Sequence, residues 1–535
     1  MKKSTKKNID SKSAGVMHKK SIIQKTIEIG GFTMLSRVLG IAREVLLFRF
    51  LGGAGAMSDA FKVAYTIPNS FRKIFAEGAL SAAMVPAVVS KVRDGNRDGV
   101  NSLMSLAFIV FEMIVLALCF IIIWHAESVV SFIAPGFNID QVANTARWLK
   151  ILMPFIFFLS SSALLASVLQ SVSRFFVPAI SPALLNVVFV ASLLACLKFS
   201  FPVDYLCYFI LFGGFLQLIF HAIAYFRAKF SFRKIDREAV KSFVSVFIRF
   251  LPCLLSMGIV EISLFIDTRF ASYLTKGSVS LIKLSNRFMG IPLGVFAVAL
   301  STILLPHFSR IRIYAPKRMS FYLLEGAKFV FWVLLPVAVV MGFLSEDILR
   351  AFLYLTGNLR IEQVSEGSTI LQAFLIGLVF FSFNKILLNI YYAFRNTWVP
   401  TIIMIFATVV NYFLNLLLMK ILLATGIALA TTISATIQTV LFLIFLYVVF
   451  GIRFHIVKFM KFFLHYLFQL ISVFSIIFLA YKVVMSFVYQ LSNYWMCFFT
   501  KGFGVWLWAM PLSMLTVLLI YYTRKIFRVK LYFLD

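Results

Sequence analysis

The sequence predicts an all-α polytopic membrane protein with fourteen transmembrane helices, and three observations support this fold class. Of the 535 residues, 61% are hydrophobic and 13% are charged, with a mean hydropathy of +0.95, so the chain has too little polar surface for a water-soluble protein. Apolar runs of about 20 residues, the length that crosses a bilayer, recur along the chain. Basic residues concentrate in alternate loops between these runs.

The apolar runs are continuous and show no alternation of polar and apolar residues. They therefore predict helices and exclude the strands of an outer-membrane barrel. We place the fourteen spans near residues 31–50, 61–90, 102–123, 144–171, 177–197, 205–226, 242–274, 278–309, 321–344, 369–394, 399–420, 425–450, 462–487 and 503–523.

The charge of the loops predicts that both termini are cytoplasmic. With fourteen spans, 30 of the 51 Lys and Arg residues fall on the inner side and seven on the outer side. The N-terminal tail and segment 227–241 carry the densest positive charge. Because Lys and Arg accumulate on the cytoplasmic side of a membrane protein, an even number of spans fits this distribution.

An internal repeat divides the chain. Ala79-Leu80-Ser81 with Pro86 recurs as Ala299-Leu300-Ser301 with Pro306 at an offset of 220 residues, and other short matches follow at offsets of 221 to 222. Six spans per repeat predict two parallel lobes facing each other, the usual arrangement for alternating access. The predicted units are a cytoplasmic basic tail (1–28), an N-lobe with spans 1–6 (29–230), a basic cytoplasmic linker (231–241), a C-lobe with spans 7–12 (242–450), and a C-terminal unit with spans 13 and 14 (451–535).

Charged residues inside the predicted spans indicate a cationic cleft. Arginine in a wet intramembrane cavity favours bidentate binding of a phosphate or carboxylate, so we expect an anionic ligand. Lys283 and Arg287 lie one turn apart on span 8 and can face the first cationic cluster. The alternative is that the cations pair with Glu44, Asp59 and Glu77 and only lock helices together. The arginines predicted to line the cleft are Arg37, Arg43, Arg72 and Arg287.

The sequence argues against an enzyme. The six His residues are scattered, and the chain contains no GxxxxGK[ST] loop and no closely spaced pair of Asp residues. The five cysteines form no CxxC pair, which excludes a cysteine-ligated metal site. Without an ATP site, the energy source would be an ion gradient, the membrane potential or exchange. A scaffold for cell-envelope enzymes is the alternative, but it does not explain arginines inside spans.

Several sequence segments are characteristic of one protein family. They resemble the MurJ (MviN) family of bacterial lipid II flippases, which belongs to the MOP superfamily together with MATE exporters and polysaccharide flippases. The resemblance covers spans 1–12 and is densest in spans 1, 2 and 8. The segments are SRVLGIARE (36–44), SDAFKVAYTIPNSFRKIFAEGALSAAMVPA (58–87), APGF (134–137), RFFVPAISPALLN (174–186) and NRFMGIPLGVFAVALSTILLP (286–306).

The resemblance implies two lobes around a cationic cleft, with a hydrophobic groove beside spans 13 and 14 for a polyprenyl tail. Carried onto this sequence, the family's substrate-binding residues fall on Arg37, Arg43, Arg72, Arg287, Asp59 and Glu77. A cation site of part of the family would fall on Asp267, Asn411 and Asn415, although Asp267 could equally pair with Arg269. The chain departs from some members at Thr66, Asn286 and Gly290, which stand where those members carry Lys, Asp and Glu.

The resemblance also implies a function, a location and partners. We expect a peptidoglycan-precursor transporter of the bacterial inner membrane, with no cofactor and either Na⁺, H⁺ or the membrane potential as the coupling agent. Its expected partners are lipid II, anionic membrane lipids and cell-wall synthesis enzymes, with no nucleic acid. The alternative within the same superfamily is an exporter of another lipid-linked oligosaccharide.

Overall fold

The computed structural model of the chain describes residues 39–75, 80–172, 174, 176–298, 304, 308, 311–356, 361–394, 396–501 and 504–532. Every regular element in these ranges is a helix, which confirms the predicted all-α fold class. Long apolar segments fold this way in a membrane because a helix satisfies its backbone hydrogen bonds internally.

The described part of the first repeat contains nine helices. Predicted spans 3, 5 and 6 correspond to α4, α8 and α9, whereas Pro154 divides predicted span 4 between α6 and α7. The helices are α1 (39–50), α2 (Ala56–Arg72), α3 (Leu80–Arg93), α4 (Arg97–Trp124), α5 (Ala126–Ile133), α6 (Ile139–Leu152), α7 (Phe155–Ser171), α8 (Phe176–Phe199) and α9 (Val203–Arg227).

The second repeat and the C-terminal unit follow. The described residues of α12 are 304, 308 and 311–314, and all are helical. The other helices are α10 (Arg237–Ser272), α11 (Ser278–Pro292), α13 (Met319–Phe343), α14 (Ser345–Thr356), α15 (Ile361–Ala393), α16 (Trp398–Phe450), α17 (Ile456–Tyr489), α18 (Asn493–Lys501) and α19 (Val505–Thr523).

Helix α16 is a hairpin of two antiparallel arms. Leu423 interrupts its helical backbone with φ 50° and ψ −130°. The amide of Asn411 lies 3.3 Å from the hydroxyl of Thr431, although 20 residues of straight helix would span about 30 Å. A Cβ atom on Gly426 would come within 2.2 Å of the Leu418 carbonyl oxygen, so the reversal requires glycine there. The two arms match predicted spans 11 and 12.

Within the described ranges, ten helices are long and apolar enough to cross a membrane, with α16 counted once. Predicted spans 1, 2 and 8 include residues outside those ranges. The total of fourteen therefore stays a prediction, as does the cytoplasmic location of the termini.

The basic linker is held against the first repeat. It was predicted to end at residue 241, but α10 already begins at Arg237. The hydroxyl of Ser102 on α4 donates to the Lys234 carbonyl (2.9 Å) and accepts from the amide of Asp236 (3.0 Å). The side chains of Asn101 and Ser105, also on α4, accept two further backbone amides of the linker. The start of α10 is thereby fixed to α4.

The internal repeat is confirmed by contacts between the corresponding helices of the two lobes, α2 and α11. The hydroxyls of Ser58 and Ser280 lie 2.9 Å apart, and the ammonium of Lys283 donates to the carbonyl of Lys62. Corresponding helices of two repeats contact each other where a symmetry axis passes between them. Both spans also carry a π-helical segment at equivalent places, 73–75 and Leu293–Val298. Helices α2 and α11 therefore meet at the pseudo-twofold axis between the lobes.

Candidate functional site

A cavity of about 710 Å³, here called the first chamber, lies between the lobes. Its walls come from α1, α2, α7, α8, α9 and α11. Three of the predicted arginines, Arg43, Arg72 and Arg287, line it, and no Asp or Glu is found among its described lining residues. Other polar side chains in the wall include Asn69, Gln170, Asn186, Gln217 and His221. The chamber therefore has a cationic lining suited to an anion.

Neighbouring side chains fix the orientation of two of these arginines. Arg43 donates to Asn186 Oδ1 (2.9 Å), and its guanidinium lies 5.0 Å from the ring centre of Phe189. Arg72 donates through Nε to Asn69 Oδ1 at 3.0 Å. An asparagine oxygen orients a guanidinium without neutralising it, so the contact with Asn186 leaves Arg43 its positive charge for a ligand.

Arg287 joins the two lobes. Its guanidinium lies 2.7 Å from Glu44 on α1 and donates to the Gly40 carbonyl at 2.7 Å. Glu44 is buried and also lies 2.9 Å from the ammonium of Lys62 on α2. The sequence left two roles open for Arg287, an ion pair that locks helices together and a place in the wall of the cleft. In the structure Arg287 has both. Arg37 and Glu77 lie outside the described residues.

Asp59 is placed differently from the arginines. It is 2% exposed at the start of α2 and does not line the first chamber. Its carboxylate accepts from the backbone amides of Gly277 (2.6 Å) and Ser280 (2.8 Å) and from the hydroxyl of Ser280 (2.6 Å). A carboxylate at the N-terminus of a helix satisfies free amides and complements the helix dipole. Asp59 thus caps α11 from the opposite lobe, and we call this contact the latch.

A second chamber of about 320 Å³ adjoins the first and shares Arg43, Tyr65, Asn69 and Arg287 with it. The ammonium of Lys73 lies 3.0 Å from Glu261 on α10, which also accepts from the hydroxyl of Ser70. Glu261 did not emerge from the sequence as a site residue. A carboxylate within the apolar stretch of span 7 could have indicated this residue from the sequence. Its partners on span 2 could not be predicted, because they depend on how the two lobes pack.

The three residues of the predicted cation site lie together at the edge of the second chamber. The amide of Asn415 donates to Asp267 Oδ1 (3.0 Å) and to Asn411 Oδ1 (3.1 Å). Thr431, on the second arm of α16, donates to Asp267 Oδ2 at 3.1 Å and was missed from the sequence. Arg269 instead contacts the Phe132 carbonyl, so it does not compete for Asp267. The buried Oδ1 atom of Asn415 has no hydrogen-bond partner within the described part of the chain, which suits an oxygen-coordinated cation.

An apolar cavity of about 250 Å³ lies between α13, α17 and α19. Phe343, Phe478, Tyr481 and Trp508 form part of its wall, and Ser513 and Thr516 are among its few polar lining residues. This cavity lies where the sequence predicted a hydrophobic groove beside spans 13 and 14.

The sequence profile described as "Lipid II flippase MurJ" matches residues 50–500. The chain belongs to the MurJ family. Among curated MurJ-family relatives, a probable lipid II flippase of Haemophilus influenzae is 32% identical over 437 residues, covering 76% of this chain and 83% of the relative. The lipid II flippase of Burkholderia cenocepacia is 30% identical over 432 residues, covering 79% of this chain and 83% of that protein.

Solved structures agree with this membership. A lipid II flippase MurJ in an inward closed conformation superposes with a TM-score of 0.74 at 25% identity, covering 94% of this chain and 99% of that one. An inward-facing MATE transporter of the MOP superfamily has a TM-score of 0.66 at 13% identity, with 78% and 96% coverage, and shows the shared fold alone. This MurJ-family chain is a polytopic membrane protein of that superfamily fold.

Proposed function

We propose that this chain is a transporter that flips lipid II from the cytoplasmic to the outer leaflet of the bacterial inner membrane. The observation that carries the proposal is the first chamber, which three arginines and no described carboxylate line. The name of the family and of its relatives points to the same substrate.

The arginines suit the diphosphate of lipid II. A guanidinium offers two parallel N–H donors to phosphate oxygens, and the low-dielectric surroundings of a membrane cavity strengthen each contact. Arg43 and Arg72 are oriented by asparagines, so they are arranged before the ligand arrives. Arg287 is held by Glu44, and a bound diphosphate would compete for it. Binding would then loosen an ion pair that joins the lobes.

The latch suits alternating access. With both termini cytoplasmic, as the loop charges predict, α2 and α11 begin on the outer side of the membrane, so the latch closes the outer end of the cleft. Release of lipid II outward requires Asp59 to part from the α11 N-terminus.

The apolar cavity between α13, α17 and α19 suits the polyprenyl tail. Its wall offers almost only hydrocarbon and aromatic surface, whereas the head group requires the cationic cleft. A photoreactive polyprenyl diphosphate should label 462–523 and leave α4 and α7 unlabelled. Labelling confined to α4 and α7 would show that the tail lies elsewhere.

Two features bear on the energy source, the charge of the cleft and the oxygen cluster at Asp267. We propose that the membrane potential acts on the cationic cleft, with Na⁺ or H⁺ at Asp267 as the alternative coupling agent. The residues present fit Na⁺, because Asp267, Asn411, Asn415 and Thr431 offer oxygen atoms and only one carboxylate.

Depletion of the protein from growing cells tests the proposed function. If it carries lipid II, the precursor should accumulate in the cytoplasmic leaflet, and the wild-type chain should restore its outer-leaflet level whereas Arg43→Gln should not. Normal leaflet distribution after depletion would favour a scaffold. Accumulation of a different lipid-linked oligosaccharide would indicate another cargo.

A further inference from the structure

Lys283 lies in the cleft without an ion-pair partner among the described residues. Its ammonium donates to the hydroxyl of Thr66 (2.5 Å) and to the carbonyl of Lys62 (3.1 Å), both on α2. Both partners are uncharged, and no ion pair within the described ranges includes Lys283. An ionisable side chain held inside a membrane protein without a counterion is costly, so its presence indicates a functional site.

The carboxylates around Lys283 are engaged elsewhere. Glu44 is paired with Lys62 and Arg287, and Asp59 accepts three hydrogen bonds from the start of α11. Glu261 is paired with Lys73 and accepts from Ser70. Asp267, which also lines the second chamber, accepts from Asn415 and Thr431. Neutralising Lys283 with any of these would remove a contact that they already make. The natural counterion for Lys283 is therefore one that a ligand brings.

The position of Lys283 indicates which part of a ligand it meets. It lines the second chamber, one turn or about 6 Å along α11 from Arg287 and toward the latch. Its partner Thr66 is six residues, or about 9 Å, along α2 from Arg72. A ligand whose diphosphate lies near Arg72 would reach Lys283 with the distal part of its head group.

We infer that Lys283 is a second anion subsite of the cleft, which binds a carboxylate of the peptide portion of the head group while the arginines hold the diphosphate. This inference rests on the proposed function. A lysine ammonium is a compact point charge that suits a single carboxylate, whereas paired guanidinium donors suit phosphate. The subsite would let the protein recognise the peptide as well as the lipid diphosphate.

Binding of three probes to the purified full-length protein tests the inference. The probes are lipid II, polyprenyl diphosphate without sugar or peptide, and lipid II whose peptide carboxylates are converted to amides. Lys283→Met should weaken binding of lipid II about tenfold, the loss expected for one charge-assisted contact, and leave binding of polyprenyl diphosphate unchanged. The amidated probe should bind wild type and Lys283→Met equally. Lys283→Arg should retain most of the affinity for lipid II, because it keeps the charge.

Two controls separate the possible failures. Lys276→Met removes an exposed lysine just before α11 and should bind all three probes as wild type does. Arg72→Gln should weaken all three probes. If Lys283→Met lost affinity equally for lipid II and polyprenyl diphosphate, or lost none for either, the carboxylate subsite would be overturned. The proposed function would remain intact. If wild type bound neither diphosphate probe, the proposed function itself would fail, and the subsite with it. Thermal unfolding of both Lys283 variants shows whether each is folded.

Discussion

Arg72 allows a direct test of whether the arginines of the cleft bind lipid II. Replacing Arg72 with Gln should lower lipid II affinity roughly tenfold to a hundredfold, because hydrogen bonds to a charged group are worth about 1.5–3 kcal/mol. Arg72→Lys should be intermediate, because lysine keeps the charge and loses the two-pronged geometry. Affinity of the purified variants for lipid II is the measurement.

The matched control is Arg147→Gln. Arg147 is 66% exposed and pairs with Asp204 at 2.7 Å on the surface, where ion pairs contribute little. Its loss should leave affinity unchanged. Equal affinities for wild type and Arg72→Gln would remove Arg72 from the substrate site.

At the residue scale, the sequence predicted the cationic character of the cleft but not each role. Arg43, Arg72 and Arg287 could be found because an arginine in an apolar span is costly wherever it points. The latch could not be predicted, because the contact of Asp59 with the α11 amides depends on how the two repeats meet. Thr431 was missed for a similar reason: threonine is common in apolar helices, and only the folding back of α16 brings it beside Asp267.

At the scale of the helix, the reversal of α16 allows a stability test. Leu423 adopts a positive φ of 50°, a conformation that typically costs a residue other than glycine about 1–3 kcal/mol. Leu423→Gly should therefore raise the free energy of unfolding by about 1 kcal/mol, after the entropic penalty of glycine is deducted. Leu422→Gly, at the preceding helical position, should lower it by about 1 kcal/mol. Thermal unfolding in detergent measures both, and a destabilised Leu423→Gly protein would argue against this backbone geometry.

The latch can be locked through Ser58 and Ser280. The hydroxyls of Ser58 and Ser280 lie 2.9 Å apart, close enough for a disulfide between cysteines placed there. In a chain whose five native cysteines are replaced, the Ser58→Cys/Ser280→Cys protein should stop transporting when oxidised and recover on reduction. Each single variant serves as a control. Undiminished transport by the crosslinked protein would show that α2 and α11 need not separate.

Spans 11 and 12 illustrate what can be predicted at this scale. The sequence places the end of span 11 at residue 420 and the start of span 12 at residue 425, and the reversal is at Leu423. The early start of α10 and the attachment of the linker to α4 were not predictable, because the linker's backbone is satisfied by Asn101, Ser102 and Ser105 from a distant part of the chain.

At the scale of the whole molecule, the two lobes should respond to the membrane potential. A full elementary charge moved across 100 mV is worth roughly 2.3 kcal/mol, and the empty cleft carries several cationic side chains. An inside-negative potential should therefore draw the empty cleft toward the cytoplasm. A single cysteine at Ser90, an exposed position on α3, should become less accessible to a thiol reagent when the potential is collapsed at constant pH gradient. Unchanged labelling would exclude the potential as the driver and leave a cation at Asp267.

The central claim is that this protein moves lipid II across a bilayer by binding it in the arginine-lined cleft. The most direct measurement is the appearance of lipid II on the opposite leaflet of vesicles that contain only the purified protein, with an inside-negative potential and a Na⁺ gradient applied. Wild-type vesicles should translocate lipid II well above protein-free vesicles, and the Arg43→Gln/Arg72→Gln/Arg287→Gln protein should not. Translocation by wild type no faster than in protein-free vesicles, or equal rates for wild type and the triple variant, would contradict the claim.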